Sequence, residues 1–358
     1  MIAAFFYEQP NGEKIKLFAS PIAKSFGLYC LMAFIDWLGK GGGVVGPAHQ
    51  SFLSFFLFFY ATMKLVNTRE KIDQVIWALV VSMFLGSIYI IKEYLTYREV
   101  MGAGFRTFGA TFGDPNYYAL SAILVVPFIY YLFKLIGGKL LKAALVVMMI
   151  IFFIGLLVTQ SRGALVGLLM MLFVGSIISN RKIKTLVVVS IIVCIGIFAM
   201  PDNLKKRITE TKVSEEKAVS GDEASTTRRW HLFLAGIEMI KDKPLTGVGL
   251  GKFKDNSMDY YPKLGHPGIA HSTYIEIMAE MGVPSILFFL SVLVFTFREL
   301  FFLRKIYNLD ERGFFLANTL IVTLTGFLFS CAFLSGEYTK IFWILIFLTI
   351  RMTESQQN

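Results

Sequence analysis

The sequence predicts an all-α, polytopic membrane protein, and three observations support that prediction. Hydrophobic residues make up 55% of the 358 residues and charged residues only 17%, whereas a typical soluble domain carries about 25% charged residues. Phenylalanine alone occurs 35 times. Apolar runs of about 17 to 25 residues, the length needed to cross the hydrocarbon core as a helix, recur along the chain. Together these observations argue against a soluble helical protein.

We predict about ten transmembrane helices within a single membrane-embedded domain that covers residues 1–358. Lys24 and Asp36 weaken the first predicted span, and the second and last spans are short. The predicted spans cover residues 18–38, 51–66, 75–95, 116–134, 141–159, 163–179, 183–200, 272–297, 313–334 and 339–351.

The distribution of positive charge predicts the orientation of these spans. Lysines and arginines concentrate in alternate short loops, which places those loops and both termini on the cytoplasmic side of the membrane. The external side then holds one large loop, residues 201–270, and the two-residue connection Ser161–Arg162. The net charge of +10 follows mainly from the basic cytoplasmic loops beside anionic lipid headgroups, so no nucleic-acid partner is predicted.

The cysteines indicate neither a disulfide framework nor a metal site. Cys30, Cys194 and Cys331 all lie in apolar segments, and their spacing is not that of metal ligands. A zinc site is therefore not expected, and we predict no cofactor.

Arg162 is the most informative charged residue, because ionisable side chains near the membrane interior are costly. It lies in TQSRGAL, between two apolar runs at the predicted outer surface. An arginine that snorkels to the interface is one interpretation. The other is a fixed guanidinium that binds a phosphate through paired N–H donors. Gly163 and Gly167 are expected to let neighbouring helices approach closely.

The large external loop contains a predicted amphipathic helix that lies in the outer membrane interface. A serine or threonine within residues 225–227 can cap its start, and Pro244 ends it. Arg229 lies at the edge of the apolar stripe and at the positive end of the helix, where an anion is favoured. We assign the main substrate-binding role to Arg229. Arg228 is also a candidate for substrate binding, but we interpret it as an ordinary solvated charge. The alternative is that both arginines bind only lipid phosphate. The stripe consists of Trp230, Phe233, Leu234, Ile237 and Ile240.

The GVGLG segment that follows is predicted to be a tight turn that returns the chain to the membrane, since no strand precedes it. His271 then opens the next span, where the helix dipole disfavours the imidazolium and a neutral imidazole can accept a proton from a hydroxyl. A structural histidine is the alternative. Glu276 and Glu280 share one face of the same helix, and we predict structural roles for them, with Glu280 paired to an arginine or protonated. Pro284 and Gly282 predict a kink.

One further external segment, FRTFGATFGDPNYYAL, carries candidate residues. Asp114 or Asn116 can cap the helix that follows it, and we predict a structural role for both. Arg106 is a candidate third positive group for substrate binding.

Four blocks in this order, GDPNYYAL, TQSRGAL, TTRRWHLFLAGIEMIKDKPLTGVGLGKF and AHSTYIEIMAEMGV, resemble the O-antigen ligase and polymerase superfamily. The resemblance implies an all-helical membrane glycosyltransferase that takes a glycan from an undecaprenyl diphosphate carrier. It also implies that Arg162 and Arg229 hold the diphosphate, that His271 helps to activate the acceptor, and that no metal takes part. Members commonly have more spans and a longer chain, so we expect either a truncated start or a short member.

The expected function is therefore transfer of a lipid-linked glycan to an acceptor hydroxyl at the outer face of the inner membrane, with inversion, in polysaccharide or lipopolysaccharide biosynthesis. The acceptor can be another glycan, a lipid A core or a protein. A polymerase that extends the lipid-linked glycan is the first alternative. A transporter of a lipid-linked sugar or small anion is the second, although the charged residues cluster at one face rather than at mid-membrane.

Overall fold

The structure, a computed structural model, describes residues 17–39, 45–101, 105–110, 113–179, 226–307 and 310–354. These ranges contain helices and connecting segments but no strand. In chain order the helices are α1 (Pro21–Gly39), α2 (Pro47–Leu65), α3 (Arg69–Met101), α4 (Pro115–Leu135), α5 (Lys139–Thr159), α6 (Arg162–Ile178), α7 (Thr226–Asp242), α8 (Phe253–Tyr260), α9 (Thr273–Ile306), α10 (Glu311–Ser330) and α11 (Lys340–Glu354), with a 3₁₀ turn at Pro262–Leu264 between α8 and α9.

Six of these helices, α1, α3, α4, α5, α9 and α10, are long and apolar enough to cross a membrane, and α6 is apolar but shorter. The predicted class, an all-helical polytopic membrane protein, is confirmed for the described residues. The predicted count of ten spans is not confirmed, because α2 and α11 are not among the six. The predicted span 183–200 and the first part of the predicted external loop, 201–225, lie outside the described residues.

The chain divides into two compact units. Unit 1 comprises the described parts of Met1–Ile72, Thr211–Glu299 and Cys331–Asn358, and unit 2 those of Asp73–Glu210 and Leu300–Ser330. This division does not test the prediction that the whole chain is a single membrane-embedded domain, which stays a prediction.

Close helix packing in unit 2 depends on small residues of α6 and α10. A Cβ on Gly167 would lie 2.6 Å from the Gly326 carbonyl oxygen and would also meet Ser330 Oγ. Ser330 Oγ in turn donates to the Gly163 carbonyl oxygen at 3.0 Å. The expected close approach at Gly163 and Gly167 is therefore confirmed, and the hydroxyl adds an interhelical hydrogen bond to the contact.

A second polar contact in unit 2 joins the start of α10 to α3 and α4. Arg312 forms an ion pair with Asp73, and Tyr131 Oη donates to the other carboxylate oxygen of Asp73 at 2.7 Å. The carboxylate is thus shared between a guanidinium and a phenol, an arrangement that satisfies both of its oxygens.

The core of unit 1 is a cluster of aromatic rings around Trp343 of α11. The ring centroids of Phe26 and Tyr29 from α1 lie 5.2 and 5.6 Å from it, and that of Phe55 from α2 lies 5.5 Å away. Centroids 4.5 to 7 Å apart in tilted arrangements are favourable aromatic contacts. The indole Nε1 also donates to the Glu337 carbonyl oxygen at 3.0 Å, so this core fixes the segment that precedes α11.

The described part of the predicted external loop contributes to a small second core of unit 1, in which α7 packs on α8 and on the start of α9. The buried face of α7 carries Leu232, Ala235 and Met239, which pack together with Phe253 and Ile275. This face differs from the predicted apolar stripe. Trp230 is 58% exposed, and the other aromatic and aliphatic members of the stripe are only partly buried. Helical periodicity thus located one apolar stripe of α7 but not the face that the protein itself covers.

Helix α9 is broken at Gly282, as predicted, where the backbone is non-helical with φ 77° and ψ 172°. The carbonyl oxygens of Ala279 and Glu280 accept hydrogen bonds from the backbone N–H groups of Val248 and Gly249, both at 2.8 Å. The segment from Gly247 thus re-satisfies backbone groups that the break releases.

The GVGLG segment is the predicted tight turn, with positive φ at Gly247, Gly249 and Gly251. A Cβ on Gly247 would collide with the backbone of Glu280. The predicted path after the turn is wrong, because the chain enters α8 before it reaches α9. This helix has only eight residues, which is too short for hydrophobic periodicity to indicate.

We predict that Gly167→Ala destabilises the protein by about 1–3 kcal/mol, because the added methyl group overpacks the α6–α10 contact. The measurement is the apparent unfolding midpoint in detergent. Gly175→Ala on the same helix is the matched control, since its Cβ would have its nearest neighbour, Val322, at 3.9 Å. Equal shifts for the two variants would contradict the prediction.

Candidate active site

Arg162 is the first residue of α6 and follows a sharp turn after α5. Gln160 adopts a left-handed backbone with φ 50° and ends α5, and Ser161 is the N-cap position of α6. Gln160 and Ser161 are buried, whereas Arg162 is partly exposed. The turn therefore presents the guanidinium at the N-terminus of a helix, where an anion is also favoured by free backbone N–H groups.

Arg106 lies in the same unit and holds this turn in place. Its Nε donates to the Thr159 carbonyl oxygen and its Nη2 to Asn116 Oδ1, both at 2.9 Å. Asp114 caps α4 by accepting from the Asn116 backbone N–H at 2.5 Å, which confirms the predicted structural role of Asp114. Asn116 is structural through its contact with Arg106. Arg106 stays a candidate for substrate binding, although two of its nitrogens contact protein groups.

In unit 1, Arg229 lies one turn into α7 and is partly exposed. Its Nη1 donates to the Phe333 carbonyl oxygen at 3.4 Å, across 104 residues of sequence. The contact directs the guanidinium toward residues 331–339, the segment between α10 and α11, which we call the 331–339 loop.

Arg228 differs from the prediction. The interpretation as a solvated charge is wrong, because the side chain has 0% relative exposure. Its guanidinium donates to the carbonyl oxygens of Leu264, His266 and Pro267 at 2.8, 2.9 and 3.1 Å. These acceptors occupy the guanidinium, so its candidate role in substrate binding is the weaker of the two arginine assignments.

His271 lies two residues before the first residue of α9 and has a left-handed backbone with φ 52°. Residues other than glycine rarely adopt this conformation, and it persists only where the surrounding structure fixes it. The fixing contacts lie two residues further on. The Thr273 backbone N–H donates to the carbonyl oxygens of Cys331 and Leu334 at 2.9 and 3.2 Å, and its hydroxyl accepts from the Gly336 N–H at 2.7 Å. His271 is itself 9% exposed.

The 331–339 loop is therefore the common neighbour of the two predicted functional residues of unit 1. Arg229 contacts it at Phe333, and the residues after His271 bind it at Cys331, Leu334 and Gly336. The sequence prediction did not indicate this loop, because it assigned residues 331–334 to the span 313–334 and began the next span at residue 339. Contacts between residues some sixty or a hundred positions apart leave no periodic pattern in the sequence that could predict them.

The contacts of Glu280 are of a structural kind, and none of them among the described residues is to an arginine, so the predicted arginine partner is not found. Its carboxylate accepts from the backbone N–H groups of Gly251 and Phe253 at 2.8 and 3.0 Å and from Tyr338 Oη at 3.2 Å. The Phe253 N–H is one of the unsatisfied donors at the start of α8, so Glu280 caps that helix from a distant position. Glu276 accepts a hydrogen bond from Ser335 Oγ, which ties the same face of α9 to the 331–339 loop.

Glu337 is a buried carboxylate that the sequence interpretation did not assign. It is 4% exposed, and burial raises the pKa of its carboxyl from 4.5 to about 8, with the nearby Glu280 adding to the rise. Neither oxygen accepts a hydrogen bond of ordinary geometry from the described residues. The Thr273 hydroxyl and the Gly336 N–H nonetheless lie near enough to favour the charged form and limit the rise.

The fold and these residues define a class: a polytopic α-helical membrane protein with arginine and histidine side chains at helix starts beside its spans. Residues 144–290 match the family model described as O-antigen ligase. The match confirms the resemblance to the O-antigen ligase and polymerase superfamily, whose members are membrane enzymes of the glycosyltransferase or ligase kind. The matched stretch contains Arg162, Arg229 and His271. The chain matches none of the curated proteins.

We predict that Glu280→Ala loosens the start of α8, because two backbone N–H groups lose their acceptor at a cost of about 1–3 kcal/mol. Hydrogen–deuterium exchange should then become faster in residues 247–256. Glu238→Ala is the matched control, since this exposed carboxylate pairs only with Lys241. Unchanged exchange in the Glu280 variant would show that the carboxylate does not hold this segment.

A pH-dependent stability is expected from Glu337. A carboxyl with a raised folded pKa favours the protonated form, so its stabilising contribution is full below about pH 4.5 and is lost as the pH rises through about 8. The thermal midpoint of the wild type should fall across this window relative to Glu337→Gln, which mimics the neutral form. Asp255→Asn, at an exposed pair with Lys252, should leave the pH profile unchanged. Parallel wild-type and Glu337→Gln profiles would contradict the assignment.

Proposed function

We propose that this protein transfers a glycan from an undecaprenyl diphosphate carrier to an acceptor hydroxyl at the outer face of the bacterial inner membrane. The observation that carries the proposal is the match of residues 144–290 to the O-antigen ligase family, because that stretch includes the arginines and the histidine that chemistry of this kind needs. Within unit 1, the convergence of Arg229 and the His271 segment on the 331–339 loop supports it.

Two arginines suit the donor. Arg162 and Arg229 each lie in the first turn or so of a helix, where the guanidinium and the helix N-terminus both favour an anion. In our proposal they bind the diphosphate and stabilise the charge that it gains as it leaves. Electrostatic stabilisation of a developing charge is often the largest single contribution to catalysis.

His271 suits the acceptor. Its position before α9 places the imidazole at the positive end of the helix dipole, which favours the neutral form that can accept a proton. In the proposed step, the acceptor oxygen forms a bond to the anomeric carbon while the bond from that carbon to the diphosphate oxygen breaks. The hydroxyl proton passes to His271 and then to solvent. Because attack comes from the side opposite the leaving group, the anomeric centre is inverted.

The step requires no metal and no cofactor in our proposal, since the arginines supply the positive charge. A polymerase that extends the glycan on its lipid carrier uses the same donor chemistry and belongs to the same superfamily, so it is the alternative. The two differ only in the acceptor, which is a growing lipid-linked glycan for a polymerase and another glycan, a lipid A core or a protein for a ligase.

Substitution tests the site assignment. Arg162→Ala, Arg229→Ala and His271→Ala should each lower glycan transfer by at least about 10²-fold, which is the usual size of a lost acid–base or electrostatic contribution. All three variants should still accumulate in the membrane. Lys241→Ala, an exposed cation on α7, is the control and should transfer normally. A His271 variant with near-normal transfer would remove the general base from the mechanism.

The reaction class is tested with reconstituted protein and a labelled lipid-diphosphate glycan. Free lipid diphosphate with a glycosylated acceptor supports a ligase, and longer carrier-bound glycans support a polymerase. Movement of the labelled lipid across the bilayer without any bond change would overturn the proposed function in favour of transport.

A further inference from the structure

The segment that leads into His271 is held at both ends. Downstream, Thr273 is bound by the 331–339 loop. Upstream, the Gly268 N–H donates to Ser257 Oγ of α8 at 3.1 Å, and Ala270 is buried in the core between α7 and α9. The left-handed backbone of His271 lies between these anchors, so its geometry depends on both.

Arg228 is the main upstream anchor. It clamps three carbonyl oxygens within Leu264–Pro267, over a sequence distance of 36 to 39 residues. Gly268 follows directly, and a Cβ there would lie 2.8 Å from Arg228 Nη2. The guanidinium thus packs directly against the backbone of the segment that leads to His271.

This arrangement is costly for a side chain whose only role is packing. The guanidinium has no carboxylate partner among the described residues, and its buried Nε has no hydrogen-bond partner there. Removing an arginine from water is unfavourable unless its donors are satisfied by well-placed acceptors. Three carbonyl oxygens from one short segment accept hydrogen bonds from the guanidinium, and they can do so only while the segment keeps its present conformation.

The position of Arg228 in the chain adds a second consequence. It precedes Arg229 directly, so the first turn of α7 carries both the clamp on the His271 segment and the guanidinium that reaches Phe333. A shift of this turn would move both functional side chains of unit 1 together.

We propose that Arg228 is a positioning residue that sets the His271 imidazole relative to Arg229. The proposal rests on the proposed function for its effect on catalysis. Arg228 does not touch the substrate; it acts through the backbone of Leu264–Pro267, which it holds with three hydrogen bonds.

The catalytic test compares two neighbouring arginines. Arg228→Gln should lower kcat by about 10²-fold, the usual effect of misplacing a reacting group by about 1 Å, and leave the KM for the lipid-diphosphate donor near normal. Arg229→Gln should raise that KM. Gly268→Ala should resemble Arg228→Gln, since its methyl group displaces the guanidinium. Lys241→Gln is the control on the same helix.

A second measurement does not depend on activity. Diethyl pyrocarbonate labels accessible imidazoles, and mass spectrometry of peptides can follow each of the four histidines. In Arg228→Gln, labelling of His271 should become several times faster, while His49, which is hydrogen-bonded to Asp36 at 3.1 Å, serves as the internal reference.

The outcomes separate the two proposals. Faster labelling of His271 while His49 is unchanged, together with a fall in kcat, supports the positioning role. Unchanged labelling and kcat in Arg228→Gln, or a raised donor KM without a change in kcat, overturns it and leaves the proposed function intact. A wild-type protein that transfers no glycan would refute the proposed function, and the labelling arm would still decide whether Arg228 holds the His271 segment.

Discussion

The buried carboxylate of Glu280 joins α9 to two stretches of unit 1 that are distant in sequence. It accepts hydrogen bonds from Gly251 and Phe253 at the start of α8, and from Tyr338 of the 331–339 loop. Glu280 lies two residues before the break at Gly282, where the GVGLG turn binds the released carbonyl oxygens. Since α7 packs on α8 and α9, the placement of Arg229 depends on the same contacts. The position of Arg229 in the proposed site thus depends on a structural carboxylate that takes no part in the proposed reaction.

Local features of the fold were predictable because their causes are local. Asp114 caps α4 through a bond to the N–H two residues on, and Gly282 breaks α9 beside a proline that cannot donate to the helix. Gly163 and Gly167 stand out as small residues in an apolar helix. The candidate residues Arg162, Arg229 and His271 were recognisable for the same reason, since each is a polar side chain at the start of a helix.

Other features were not predictable, because their partners are distant main-chain groups. Arg228 looks like a surface charge in RRWHLF, and only the folded chain brings three carbonyl oxygens to it. Glu337 lies in what the sequence shows as a short connection between two apolar segments, and its burial depends on α9 and α11. The apolar stripe of α7 was found, but hydrophobic periodicity does not distinguish a face covered by protein from one left open, as Trp230 shows.

The break at Gly282 separates α9 into two parts that need not share a rotational register. In an unbroken helix, inserting or deleting one residue turns everything beyond it by about 100°. Here the part before the break, with Glu276 and Glu280, is fixed by hydrogen bonds to the turn and to the 331–339 loop, whereas the part after Pro284 carries exposed apolar side chains such as Leu287 and Val294. An insertion or deletion after the break therefore turns only the part that follows it and leaves the histidine facing its loop.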